Sequence, residues 1–175
     1  ATVVAVIKPV RRGVPDNWQS IVDVLYDQFC LIINQSTGQL GMKRGTGNGT
    51  GTSQNWGPIV ADQQSTVVSV VMATDGSFKM YTNGVLAWTY ATTTTLTQFY
   101  RSGLNTWGIG RNTFDGWTVF NGDIGDVYVW KLALGDASRA ALETDLMAKF
   151  NAGASYPPNT ITASISGGGG TITPT

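Results

Sequence analysis

Few residues in this chain can do acid–base, nucleophilic or metal chemistry. There is no histidine among its 175 residues, which excludes Ser–His–Asp and Cys–His catalysis and every imidazole-based metal site. Of the eleven acidic residues only Glu143 is a glutamate, and it falls in a helical stretch where a solvated face is expected. The one cysteine, Cys30, sits in the apolar run Phe29-Cys30-Leu31-Ile32-Ile33. A single thiol closes no internal disulfide, and that setting reads as a buried, inert thiol. Gly45 to Gly51 alternates glycine with small polar residues. No lysine follows it, and neither phosphate-cradling spacing is met, so it is expected to be a surface loop.

Two chemistries remain. Asp123 and Asp126 flank Ile124-Gly125, and carboxylates that close could share one Ca2+ with backbone carbonyls, although the further acidic ligands of a dedicated loop are missing. Calcium is the only cofactor the sequence suggests. Aromatic rings are the stronger signal: six Trp, six Tyr and six Phe make up 10% of the chain. An exposed ring stacks on the apolar face of a sugar, which is how a neutral protein holds a neutral glycan. Trp56 and Trp107 stand in Gly- and Asn-rich contexts expected to be loops, and Trp117 follows Asp115-Gly116. These three, with Asn112 and Asp115, form the candidate ligand-binding set, and burial in the core is the competing reading of each ring. Trp88 and Trp130 alternate within strand-like runs and read as packing residues. No catalytic residue is assigned.

The composition agrees with a binding role. Eleven basic and eleven acidic residues give a formal net charge of zero, so no broad field draws phosphate backbones or anionic lipid, and nucleic acid is a poor partner. Charged residues are 13% of the chain, about half the ~25% of an average soluble protein. Thr, Ser, Asn and Gly must supply the polar surface instead. No apolar run approaches the ~20 residues of a membrane span. Ala1 to Lys8 lacks a basic stretch leading into an apolar one, so no signal peptide is read there. The absence of disulfides suits cytosolic, bacterial extracellular and phage proteins alike.

The elements that must position these residues are short strands. Thr2 to Ile7, Ser20 to Val24, Phe29 to Asn34, Gln39 to Lys43, Thr66 to Met72, Ser77 to Tyr81, Val85 to Trp88, Trp107 to Gly110 and Gly122 to Lys131 are all β-rich and bounded by turn residues. Asp75-Gly76 and Asn83-Gly84 supply the positive φ angles of tight hairpin turns, so residues 66–88 read as a three-strand meander. That density of short strands means a sandwich or a closed barrel. One helix interrupts it: Asp136 is a good N-cap, Leu142, Leu146 and Phe150 fall on one stripe, and Gly153 can end it. From Asn151 the composition shifts. Tyr156-Pro157-Pro158 reads as an extended linker. Ile161, Ala163 and Ile165 alternate with Thr and Ser ahead of Gly167 to Gly170, which suggests a hairpin or a donated strand that packs on a partner.

Several of these segments resemble a known family. Thr66 to Trp88, with its Asp-Gly turn and Tyr81-Thr82-Asn83-Gly84, resembles the variable strand and Y-x-N-G segment of laminin-G-like, concanavalin A-like domains. Gly108-Ile109-Gly110-Arg111-Asn112 is similar to their hxIGxN strand. Phe120 through Asp136 is similar to their F-x-G-x-I-x-D-V signature, and Thr2 to Pro9 to their early A-W-V-K-P strand. The resemblance covers roughly residues 1–150. It implies an all-β, two-sheet antiparallel jelly-roll sandwich with one C-terminal helix at 136–150, and a linker and hairpin or strand-donating tail at 151–175. The family places one strand ahead of the Thr2 strand. Its absence leaves an edge that the tail, or a neighbouring copy, is expected to fill, which makes 159–175 a candidate for homo-oligomer assembly. The paired-glutamate motif of the hydrolases of this fold has no match, and a glycosidase needs two correctly spaced carboxyls. The reading is therefore a non-catalytic binding or adhesion module, extracellular or on a cell or virion surface, with a glycan or another protein as partner. The alternative is a structural, decoration or fibre protein of a phage virion.

Overall fold

The computed structural model describes residues 1–11, 18–24, 29–45, 52–91, 107–111 and 119–153. Among the described residues, ten strands precede one helix. One sheet takes the order β10-β1-β6-β7-β8, built from Gly122–Trp130, Thr2–Pro9, Thr66–Met72, Phe78–Thr82 and Val85–Tyr90. The other takes the order β5-β4-β3-β2-β9, built from Thr52–Ile59, Gln39–Gly45, Phe29–Asn34, Trp18–Val24 and Trp107–Ile109. All the ladders are antiparallel. The helix α1 spans Asp136–Phe150.

Strand β1 explains why the first sheet is a central layer. Its run Thr2-Val3-Val4-Ala5-Val6-Ile7 is buried throughout, the pattern of a strand covered on both faces. Val3, Ala5 and Ile7 point between the sheets, with Leu31, Leu40, Met42, Val68 and Met80. Val4 and Val6 point the other way, with Val67, and meet Leu146 of α1, flanked by Leu142 and Phe150. The stripe read from the sequence is thus the face the helix buries. At ~25 cal/mol per Å2 of apolar surface, the two buried faces of β1 make it the energetic centre of the fold.

Strand β1 is not an edge, since β10 pairs along one side and β6 along the other, and the edges of its sheet among the described residues are β10 and β8. The tail expected to fill an open edge, 159–175, lies outside the described residues. Four features differ from the sequence reading. Strand β5 has no counterpart in the reading, since Thr-Ser-Gln-Asn-Trp-Gly-Pro-Ile carries weak strand propensity. An edge position tolerates its Gly57 and Pro58. The helix N-cap is Gly135 rather than Asp136, and no side chain caps that end. The Asp136 carboxylate instead accepts from the Tyr81 hydroxyl at 3.3 Å. The helix closes on Asn151, left-handed at φ 50°, because asparagine tolerates that conformation and Gly153 is not needed for it. Lastly, Glu143 is fully buried and ion-paired to Arg139, itself buried. The expected solvated face belongs to other helix residues. The meander holds as read: Asn83 and Gly84 take φ 48° and 81°, and Gly76 takes 82°.

Candidate functional site

The outer face of the β5–β9 sheet is the one that no described helix covers. Its composition follows from register. Phe29, Leu31 and Ile33 point into the inter-sheet core, so Cys30, Ile32 and Asn34 point outward. Cross-strand partners share a face. One outer row is therefore Asp23–Cys30–Lys43, and the next is Ser20–Ile32–Gly41–Trp56. Trp56 faces outward for a second reason: its neighbour Gly57 approaches the Trp88 ring of the opposite sheet so closely that a β-carbon would stand 2.6 Å from it.

Ser20, Asp23, Cys30 and Ile32 are fully shielded from solvent on this face. The Ser20 hydroxyl and the Cys30 thiol share a hydrogen bond at 2.9 Å. Cys30 is thus buried, as its sequence context suggests, but on the outside of a sheet rather than in the inter-sheet core. The accessible part is formed by Trp18, Lys43 and Trp56, each half-buried. The Lys43 ammonium lies 4.5 Å from the centroid of the Trp18 ring, within cation–π range. Lys43 stands on β4 and Trp18 on β2, so the contact spans the intervening strand β3. The result is one ring–cation pair, Trp18 with Lys43, and a second indole, Trp56, on the same face three strand spacings away, roughly 14 Å at ~4.8 Å each. Indole faces stack on sugar rings, and an ammonium donates to hydroxyls or a carboxylate.

The structure sorts the residues chosen from sequence. Trp56 and Trp107 lie in strands β5 and β9 rather than in loops, because the ladders with β4 and β2 extend through them. They occupy opposite edges of one sheet, four strand spacings or roughly 19 Å apart at ~4.8 Å each. They therefore form no single platform. Asn112, Asp115 and Trp117 lie outside the described residues. Trp18 and Lys43 escaped the sequence reading. Alternation at Trp18-x-Ser20 was the available signal for the first, but nothing local places a lysine from β4 over a ring from β2. Trp88 and Trp130 pack as read, Trp88 edge-on to Phe78 at 5.1 Å and Trp130 stacked on Tyr128 at 5.9 Å.

Asp123 and Asp126 do not fit a calcium cage. Asp126 Oδ2 accepts from Lys149 Nζ at 2.7 Å and from the Tyr128 hydroxyl at 3.3 Å, so an ammonium already stands where a cation would. The hydrogen bond from Lys149 holds the Asp126 carboxyl below the usual carboxylate range, and the same bond raises Lys149 above the usual lysine range. Among the described residues no three Asp, Glu, Cys or His side chains gather as a metal site would require.

A family model described as "Concanavalin A-like lectin/glucanases superfamily" matches residues 2–138. A search of the curated proteins finds no match. Among solved structures, the fold is similar to Ruminococcus gnavus IT-sialidase CBM40 bound to α2,6-sialyllactose, at 20% identity and TM-score 0.64, covering 81% of this chain and 82% of that one. The same CBM40 bound to α2,3-sialyllactose is similar at 22% identity and TM-score 0.61, covering 81% of each chain. A carbohydrate-binding protein described for Bacteroides ovatus is similar at 18% identity and TM-score 0.57, over 78% of this chain and 38% of that one.

Proposed function

The chain belongs to the concanavalin A-like lectin/glucanase superfamily, and from that premise we propose that it is a non-catalytic glycan-binding module whose site is the outer face of the β5–β9 sheet. One observation carries the reading: Lys43 is held over the Trp18 ring on the same face as Trp56. Two rings and one cation suit a glycan that combines an apolar ring face with a carboxylate. Solved relatives of the same fold hold sialyllactose, an acidic sugar conjugate, which supports that ligand class here. The absence of histidine and the single, ion-paired glutamate support a role without catalysis. A glycan ligand agrees with an extracellular or cell-surface setting.

Calorimetric titration with sialyllactose and with lactose tests the proposal. Sialyllactose is expected to bind more tightly. Lys43→Ala should bring it down to the level of lactose, and Trp56→Ala should weaken both, by roughly tenfold for loss of one stacking ring. Binding of neither sugar, or binding unchanged in both variants, overturns it. Release of free sialic acid during the titration would overturn the non-catalytic part.

A further inference from the structure

Helix α1 covers the outer face of β1 and β6 through Leu146. Ahead of its first turn that face opens into a cleft of about 300 Å3 between β6, β7 and β8 and the residues leading into the helix. The cleft lies on the opposite side of the sandwich from Trp18, Lys43 and Trp56. Val71, Lys79 and Thr89 form one cross-strand row along its base, and Lys79 and Thr89 are exposed. Leu134, Gly135 and Asp136 form the facing wall.

Asp136 has an unusual situation for a residue at a helix start. It caps nothing, and its side chain is 75% exposed. Yet its orientation is fixed from beneath by two buried residues. The Tyr81 hydroxyl donates to Oδ1 at 3.3 Å, and Arg139 Nε stands 3.7 Å from the same oxygen. Arg139 in turn lies 3.5 Å over the Tyr81 ring. The second oxygen, Oδ2, takes no hydrogen bond among the described residues. Among the described residues, a preset carboxylate with an unengaged oxygen stands across a cleft from an ammonium and a hydroxyl that take part in no hydrogen bond, which is a hydrogen-bonding frame.

We propose that this cleft is a second binding site, for a single neutral sugar ring. Asp136 accepts from a pair of vicinal hydroxyls, Lys79 and Thr89 serve the hydroxyls on the other side, and Val71 takes the ring's apolar face. A charged ligand gains one opposite charge and meets one like charge here, at Lys79 and Asp136, so the repulsion offsets the attraction, whereas a neutral ring hydrogen-bonds to both without that cost. The volume stands at the low end of small-molecule sites, enough for one ring rather than a chain of them. The inference shares its ligand chemistry with the function proposed above but none of its residues. Two sites on opposite faces would make the module bivalent, able to bridge glycans.

The test is a titration of the 15N-labelled full chain with lactose, followed by amide shifts. Shifts at Ser77, Lys79, Thr89 and Gly135 are expected, with weak, millimolar-range saturation. Asp136→Asn removes a charged acceptor and should weaken that saturation by roughly tenfold. Lys79→Ala, an exposed strand position whose change leaves the helix start intact, should weaken it as well, and Trp56→Ala should leave it unchanged. Shifts confined to Gly41 and Trp56 would overturn the second site while the first stands. Shifts in the cleft that neither Asp136→Asn nor Lys79→Ala reduces would also overturn it. Shifts in the cleft with none at Gly41 or Trp56 would uphold it and speak against the first.

Discussion

Glu143 offers the sharpest test of the packing argument. It is fully buried and paired with Arg139, which is 6% exposed. Replacing Glu143 by alanine leaves a guanidinium in the helix–sheet interface without its carboxylate. Breaking a buried pair from one side costs about 3–5 kcal/mol, because the remaining charge stays desolvated. Here Arg139 keeps the Tyr81 ring and a distant Asp136 oxygen, so the lower end, about 3 kcal/mol, is expected. For a chain of this size each kcal/mol moves the melting temperature by about 2–4 °C, so a fall of about 6–12 °C should follow. Replacing both partners, as Arg139→Met with Glu143→Leu, should be near neutral or stabilising, since that removes both desolvation costs. Urea denaturation followed by tryptophan fluorescence measures both variants. A loss below about 1 kcal/mol for Glu143→Ala, or a double variant worse than the single one, would refute the reasoning.

Gly122→Ala should destabilise by about 2 kcal/mol or more, because φ is 137° there and a β-carbon would collide with the Lys8 carbonyl oxygen. A urea midpoint equal to that of the parent would show that the β1–β10 ladder gives way freely. The Asp126–Lys149 pair sets a pH dependence. Its carboxyl is depressed by the lysine, so its contribution is full above the ordinary aspartate range and is lost as pH falls through the depressed value. The raised Lys149 contributes below the ordinary lysine value and loses that contribution as pH rises through its own. The carboxyl carbon shift of Asp126 should titrate at a higher midpoint in Lys149→Met, while the Tyr128 hydroxyl still donates to it, and an unchanged midpoint would remove the lysine as cause. Deletion of residues 159–175 should lower the mass in solution by more than the seventeen residues removed, as oligomers joined through a sheet edge such as β8 or β10 come apart. An unchanged oligomeric state and melting temperature would end that role, and nothing among the relatives favours the virion alternative.

The sequence by itself determined much of the fold. Its turn pairs at 75–76 and 83–84 define hairpins through local φ requirements, and these appear in place. The unbroken apolar run of β1 and the stripe at Leu142, Leu146 and Phe150 report burial directly, because periodicity follows from which faces lose water. The lack of histidine restricted the chemistry before any contact was known. Tertiary structure decided everything that depends on which strands become neighbours. Thr2 and Trp130 pair across nearly the whole domain, and no local propensity encodes that choice. It placed β1 between β10 and β6 rather than at an edge. It sent Trp56 and Trp107 to opposite margins of one sheet, and laid Lys43 over Trp18 from another strand. It also buried Glu143, because the helix turned that face onto Tyr81 and the Asn83-Gly84 turn. A residue's chemistry is written in its type, but what it can reach is fixed by register, and register is a property of the assembled sheets.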